Sequence, residues 1–179
     1  MSPSVPIAPQ PKNNSGTEPA LDKNMFRSAM SAFATGVAIV TTQYEGELHG
    51  MTINSMTSVS LDPCQLLFCA NHGSTTGQAI KARGLFAVHI MAESQKQIAQ
   101  TFARYQPNRF ATCSYHLHEH DLPIFDQALA VMICQTDQII SSGDHEIFIG
   151  NVISCLTHAG DPLVYFASRY ASLAPHSAL

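Results

Sequence analysis

The sequence predicts a mainly β protein, an antiparallel barrel with short helices at its rim. Three observations predict it. Six or more apolar segments of strand length recur after Leu21. Polar turn sequences such as "YEGE" and "SSGD" join several of them as hairpins. Helical periodicity is confined to a few short stretches. At 179 residues, 45% hydrophobic and 12% charged, the chain fits one compact domain with a sizeable core.

The opening "MSPSVPIAPQPKNNSGTEPA" (1–20) has too few apolar residues to offset the cost of ordering and reads as a disordered tail. It lacks the charged start and apolar run of a secretory signal. The domain is expected over 21–173, with 174–179 as a C-terminal tail. Asp22 caps a first helix whose apolar face carries Phe26, Met30 and Phe33, and Gly36 is placed to end it. "VAIVTTQ" (37–43) and "LHGMTIN" (48–54) form a hairpin. "QLLFCAN" (65–71) and "LFAVHIM" (85–91) are further strands, separated by a short helix from Thr76 to Arg83. "SQKQIAQTFARY" (94–105) reads as a helix capped by Ser94, with Ile98, Phe102 and Tyr105 on one face. "ALAVMICQTDQII" (128–140) and "EIFIGNVISCLTH" (146–158) are long strands flanking "SSGD", and "PLVYFA" (162–167) closes the domain.

Composition excludes several classes of function. A net charge of −4 without a basic run argues against coating nucleic acid. No stretch approaches the roughly 18 apolar residues of a membrane span. Five cysteines, odd in number and without a CxxC pair, suit reduced, core-packing thiols and a cytoplasmic location.

The segment "GMTINSMTSVSLDPC" (50–64) is rich in hydroxyls and amides yet has no lysine or arginine. Thr52, Asn54, Ser55, Thr57, Ser58 and Ser60 cover a strand end and the turn after it, where such groups surround a polar ligand. In "NHGSTTGQAI", Ser74, Thr75 and Thr76 open a helix, where outward N–H groups favour an anion. Two neutral cradles joined by one buried strand suit a phosphorylated cofactor held by hydrogen bonds. The alternative is that these side chains make only turns and caps.

"FRSAMSAFATGVAIVTT", "HGMTINSMTSVSLDP", "GLFAVHIM", "SGDHEIFIGNV" and "PLVYFASRY" occur in this order between Met25 and Tyr170. Together they resemble the short-chain flavin reductases, the reductase components of two-component flavin-dependent monooxygenases. The resemblance implies an FMN-binding split β-barrel, antiparallel and Greek-key-like, that forms a homodimer with flavin in a groove near the subunit interface. It implies hydride transfer from NADH, with NADPH possible, to FMN or FAD, and delivery of reduced flavin to a partner monooxygenase. Carried onto this sequence, the flavin-contact motif falls on Met51, Thr52, Ile53, Asn54, Ser55 and Ser58, and the phosphate-side segment on Ala70, Asn71, Ser74 and Thr75. His145, in "GDH", falls at the nicotinamide position and is the candidate catalytic residue, placing the ring without acting as an obligatory proton donor. Tyr170 resembles an aromatic residue of the same pocket. No metal is implied. The chain departs from the family pattern at Cys64, where a second proline is common, at Ser168, where glycine is common, and at His89, where asparagine is common.

Two other readings follow from the residues. His116, His118 and His120 alternate in "SYHLHEHDLP", so on an extended segment they share one face and, with Glu119 or Asp121, suit a divalent metal in a metalloenzyme or metal-binding protein. A flavin-binding oxidase or binding module on the same barrel is the other. NADH is favoured over NADPH because Arg83, Arg104 and Arg109 stand isolated in the sequence, with no arginine cluster for a 2′-phosphate.

Overall fold

The structure, a computed structural model, describes residues 21–174. The expectations for 1–20 and for 175–179 lie outside the described residues. In chain order the elements are α1 (Lys23–Ser31), β1 (Thr35–Gly36), β2 (Ala38–Tyr44), β3 (Glu47–Ile53), β4 (Thr57–Leu61), β5 (Cys64–Asn71), α2 (Thr75–Arg83), β6 (Leu85–Ile90) and α3 (Lys96–Phe102). There follow β7 (Tyr115–Leu117), β8 (Pro123–Phe125), β9 (Ala130–Ser142), β10 (His145–Thr157), β11 (Val164–Phe166) and β12 (Arg169–Ala171). Seven strands form one antiparallel sheet in the order β3-β2-β6-β9-β10-β5-β4; β1-β11-β12 and β7-β8 form small sheets beside it.

The unbroken apolar run at β2 arises because both of its faces are covered. Ala38 and Val40 join one core cluster, while Val37 and Ile39 join another. Its buried threonines are satisfied: Thr41 Oγ1 donates to the Pro123 carbonyl at 2.8 Å, and Thr42 Oγ1 to that of Leu85 at 2.7 Å. The first cluster shows how the sheet curls. Ile53, from β3 at one edge, packs in the same cluster as Leu66 and Phe68 of β5 near the other, with Ile80 of α2. The sheet therefore curls around this core, where the Phe68 and Phe148 rings stack at 4.9 Å. Truncating either ring to alanine is expected to cost about 3–5 kcal/mol. The curl is aided by bulges in the β9–β10 ladder at Ile149/Gly150 and Val152/Ser154. Gly150 is required there: a Cβ would lie 2.5 Å from Phe86 Cζ.

Several expectations are corrected. α1 is capped by Asp22 as expected, its carboxylate accepting from Asn24 N at 2.9 Å, but it ends at Ser31, and Gly36 belongs to β1. Phe26, Met30 and Phe33 are 55%, 52% and 68% exposed, because no other element among the described residues covers that face. The helix expected over 94–105 begins as a 3₁₀ turn, Glu93–Gln95, before α3. Gln95, not Ser94, fixes its start: its Oε1 accepts from Ala92 N at 3.1 Å and its Nε2 donates to the Asp126 carbonyl at 2.7 Å. α3 stops at Phe102, so Tyr105 falls in the following loop and is 80% exposed. The turn expected after β3 contains β4. Of the cysteines only Cys134 is a buried core residue; Cys64 and Cys155 are exposed.

Candidate functional site

A cleft of about 650 Å³ opens where five segments meet: the end of β3 with Asn54 and Ser55, the end of β5, the start of α2, the end of α3 with its following loop, and the first residue of β10. Its shape depends on polar side chains already engaged within the protein. Ser55 Oγ accepts from Cys69 N at 3.0 Å and donates to Cys69 O at 3.2 Å, clasping the end of β3 to β5. Thr52 Oγ1 donates to the Ala99 carbonyl of α3 at 2.7 Å. Ser74 caps α2, accepting from Gly77 N at 3.1 Å, and its hydroxyl reaches Met51 Sδ at 3.3 Å. These three hydroxyls therefore build the cradle walls. The exposed Asn54, Asn71 and Thr75 side chains, with the first-turn N–H groups of α2, are left to face a ligand.

Met51, Thr52, Ile53, Asn54, Ser55, Ala70, Asn71, Ser74, Thr75 and His145 all line this cleft, although they come from separate parts of the sequence. Ser58 does not; it lies in β4, paired with Leu66. Tyr170 lies in β12 and lines a neighbouring groove of about 640 Å³, edge-on to Tyr165 at 5.5 Å, and burial raises the pKa of its hydroxyl. That groove shares Ala103 and Arg104 with the cleft, so the two are contiguous. It is also lined by Arg169, which did not stand out in the sequence, so Arg104 and Arg169 border one groove.

His145 stands at the rim. Its Nδ1 lies 2.7 Å from Asp144 Oδ1, and this hydrogen bond is the main cause holding the Asp144 carboxyl below its ordinary range. The carboxylate accepts, so Nδ1 donates and Nε2 of the neutral ring carries the free lone pair. The neighbouring Glu146 is buried and paired with Lys81 of α2. Phe102, Tyr105, Arg104 and Arg109 are also among the lining; the sequence offered the two arginines only as isolated cations and Phe102 and Tyr105 only as one face of a helix.

The histidine-rich segment is not part of this site. His116 pairs with Asp126 at 2.8 Å, leaving His118, Glu119 and His120, whose ligand atoms lie within 4.8 Å of one another. The three histidines do not converge as expected, because only His116 lies in β7 and the chain turns after Leu117. Arg83, the last residue of α2, donates to the His120 carbonyl at 2.8 Å, so this turn sits at the opposite end of α2 from the cleft. His89 also lies outside the cleft, fully buried with its Nδ1 3.1 Å from Ile39 O. Ser168 adopts the left-handed conformation, φ +61°, which accounts for glycine being common there.

The cleft suits a flavin. Its volume lies in the usual range of about 300–1,000 Å³ for small-molecule sites. Met51 offers apolar surface to a ring above the buried Ile53 and Phe102, Asn54 and Asn71 offer edge contacts, and the α2 N-terminus offers N–H groups to a phosphate. Residues 30–174 match the family model of the flavin reductase like domain. The chain belongs to the flavin reductase family. This family member is 34% identical over 156 residues to the reductase component of 4-nitrophenol 4-monooxygenase/4-nitrocatechol 2-monooxygenase of Rhodococcus opacus, covering 87% of this chain and 84% of that protein. It is 34% identical over 154 residues to an NADH-dependent flavin reductase of Pseudomonas fluorescens, covering 84% and 89%. Among solved structures it resembles an NADH:FAD oxidoreductase of Streptomyces globisporus, determined with NAD and FAD fragments, at a TM-score of 0.84 and 32% identity, covering 88% of this chain and 96% of that one. The flavin reductase fold is thus mainly β and antiparallel, as expected. Among the described residues no helix is long and apolar enough to cross a membrane.

Proposed function

We propose that this flavin reductase takes hydride from NADH, accepts NADPH as a second donor, and releases reduced flavin to a separate flavin-dependent monooxygenase. The observation that carries the reading is the convergence of ten residues from distant segments on one cleft, with His145 at its rim. The grouping of Arg104 and Arg169 beside Tyr170 is the reason to expect turnover with NADPH as well.

Bound flavin supplies the acceptor for the hydride leaving the nicotinamide C4. The protein's part is placement and electrostatic support. Asn54, Asn71 and backbone N–H groups at the end of β3 hold the polar edge of the ring, where negative charge develops on reduction. Thr75 and the first turn of α2 hold the phosphate side. Thr52 and Ser55 keep β3 against α3 and β5, so the contacts do not have to form anew in each turnover. The free Nε2 of His145 accepts from the carboxamide N–H of the nicotinamide and selects the ring face presented. Tyr170 flanks the nicotinamide from the adjoining groove.

Mixing the purified protein with NADH or NADPH and FMN, FAD or no flavin, while following absorbance at the nicotinamide band, tests the proposal. Oxidation is expected only with flavin, faster with NADH, and undiminished by a metal chelator. Failure of every flavin to support turnover removes the reductase reading. Loss on chelation with recovery on adding zinc points instead to the His118–His120 turn, and oxygen uptake with flavin that is driven by an added oxidisable organic substrate, with no nicotinamide consumed, points to an oxidase.

A further inference from the structure

Arg109 occupies an uncommon electrostatic position. Its guanidinium lies 5.3 Å from the centre of the Phe102 ring, and the residue is only partly exposed. Among the described residues no carboxylate lies within 4.0 Å of it. Desolvation lowers its pKa against a smaller opposing effect of Tyr105, and no ion pair among the described residues offsets that cost. A cation withdrawn from water and lacking a counterion is suited to an anionic ligand.

The surrounding cavities identify where that anion would lie. Beyond the main cleft runs an outer groove of about 440 Å³, bordered by Leu48, His49 and Asn108. Cleft and groove share three residues, Thr75, Tyr105 and Arg109, so the start of α2 and the guanidinium stand together at the neck between them. With the start of α2 holding the first phosphate of a flavin, a flavin mononucleotide would end at the neck, and a flavin adenine dinucleotide would bring its second phosphate there and its adenosine to the groove beyond.

Resting on the flavin-reductase reading, we propose that this protein selects FAD over FMN, with Arg109 as the residue that reads the second phosphate and holds the adenosine half in the outer groove. The planar guanidinium, anchored over Phe102, presents its N–H groups to phosphate oxygens in charge-assisted hydrogen bonds. Tyr105, 80% exposed at the neck, gains a partner for its ring when the adenosine half is present.

Dissociation constants for FAD, FMN and riboflavin, measured by titration of flavin fluorescence, test this in the wild type and in Arg109→Gln, Arg109→Met and Arg109→Lys. The wild type is expected to bind FAD roughly tenfold or more tightly than FMN, the scale of one charge-assisted phosphate contact. Arg109→Gln and Arg109→Met should remove that advantage while changing FMN affinity less than about twofold, and Arg109→Lys should restore part of it. The methionine keeps a stem over Phe102, and the thermal midpoint of each variant separates loss of fold from loss of phosphate binding. Equal affinity of the wild type for FAD and FMN overturns the proposal. So does an equal loss for both flavins on replacing Arg109, which would assign the guanidinium to their common phosphate. If the wild type binds no flavin, riboflavin included, the reductase reading falls as well, an outcome distinct from flavin binding without selectivity.

Discussion

His89 shows how one buried side chain sets a pH dependence. The ring is fully enclosed and edge-on to Phe125 at 5.1 Å; Nδ1 donates to the Ile39 carbonyl, and Nε2 has no partner. Protonating Nε2 would place a cation in an apolar enclosure, so burial, the largest cause, lowers the pKa from 6.5 to about 4. Between those values the unfolded chain binds a proton that the folded chain refuses. The stability is complete above pH 6.5 and is lost as pH falls through 4. Acidification across that window is expected to cost roughly 2–3 kcal/mol through this residue. His89→Asn retains a donor for Ile39 O but does not titrate. Denaturant unfolding at pH 7.5 and 4.5 should show a decline smaller by about that amount in the variant. Equal declines would mean that the imidazole is hydrated or protonated within the fold.

At the scale of elements, the cleft depends on the clasp between β3 and β5, and the roles of Asn54 and Ser55 diverge there. Ser55→Ala leaves Cys69 N and O without their partner and should lower stability by about 1–2 kcal/mol. Asn54→Leu loses an exposed cleft amide and should weaken flavin binding roughly tenfold with the melting temperature nearly unchanged. Calorimetry and flavin titration on both variants check this; a melting shift at Asn54 as large as that at Ser55 would make Asn54 a turn residue. The same elements show what could be read from the sequence. β2, β5, β6, β9 and β10 were legible because core packing demands apolar runs or alternation along much of their length. β4, "TSVSL", was not, because it lies at the sheet edge with little burial and so carries no apolar signal. In the site, Thr52, Asn54 and Ser55 stood out as polar groups at a strand end and the turn after it, while Met51 and Ile53 came only with the family resemblance. Phe102 did not, because its place is set by packing far along the chain: a Cβ at Gly50 would lie 3.0 Å from the Phe102 ring. Tyr105 lies in the loop after α3, and Arg109 opens a 3₁₀ turn, Arg109–Thr112, at the end of that loop, beyond Pro107 and a left-handed Asn108, a path that no periodicity encodes.

At the scale of the whole molecule, one surface is left uncovered by the other described residues. α1 has no buried residue, yet Phe26 and Met30 share one side of it at i and i+4, Phe33 follows its C-cap 68% exposed, and Leu21 and Met25 are 67% and 66% exposed. The helix is well capped by Asp22 and tied to the domain by Ala167 N donating to Ser31 O at 2.9 Å, so its position is set while its apolar side is left open. Covering such a stripe contributes roughly 1.5–3 kcal/mol per large side chain, and a second copy of the chain supplies a surface of the same composition by twofold symmetry. The protein is therefore expected to be a homodimer, with light scattering giving twice the 19.4 kDa chain mass at micromolar concentration. Replacing both Phe26 and Met30 by glutamate places two carboxylates in the contact and should give monomers. A wild type that remains monomeric would overturn the dimer. A dimer that persists in the double variant would put the interface elsewhere, with the exposed outer half of β10, Ile153 and Leu156, as the next surface to alter.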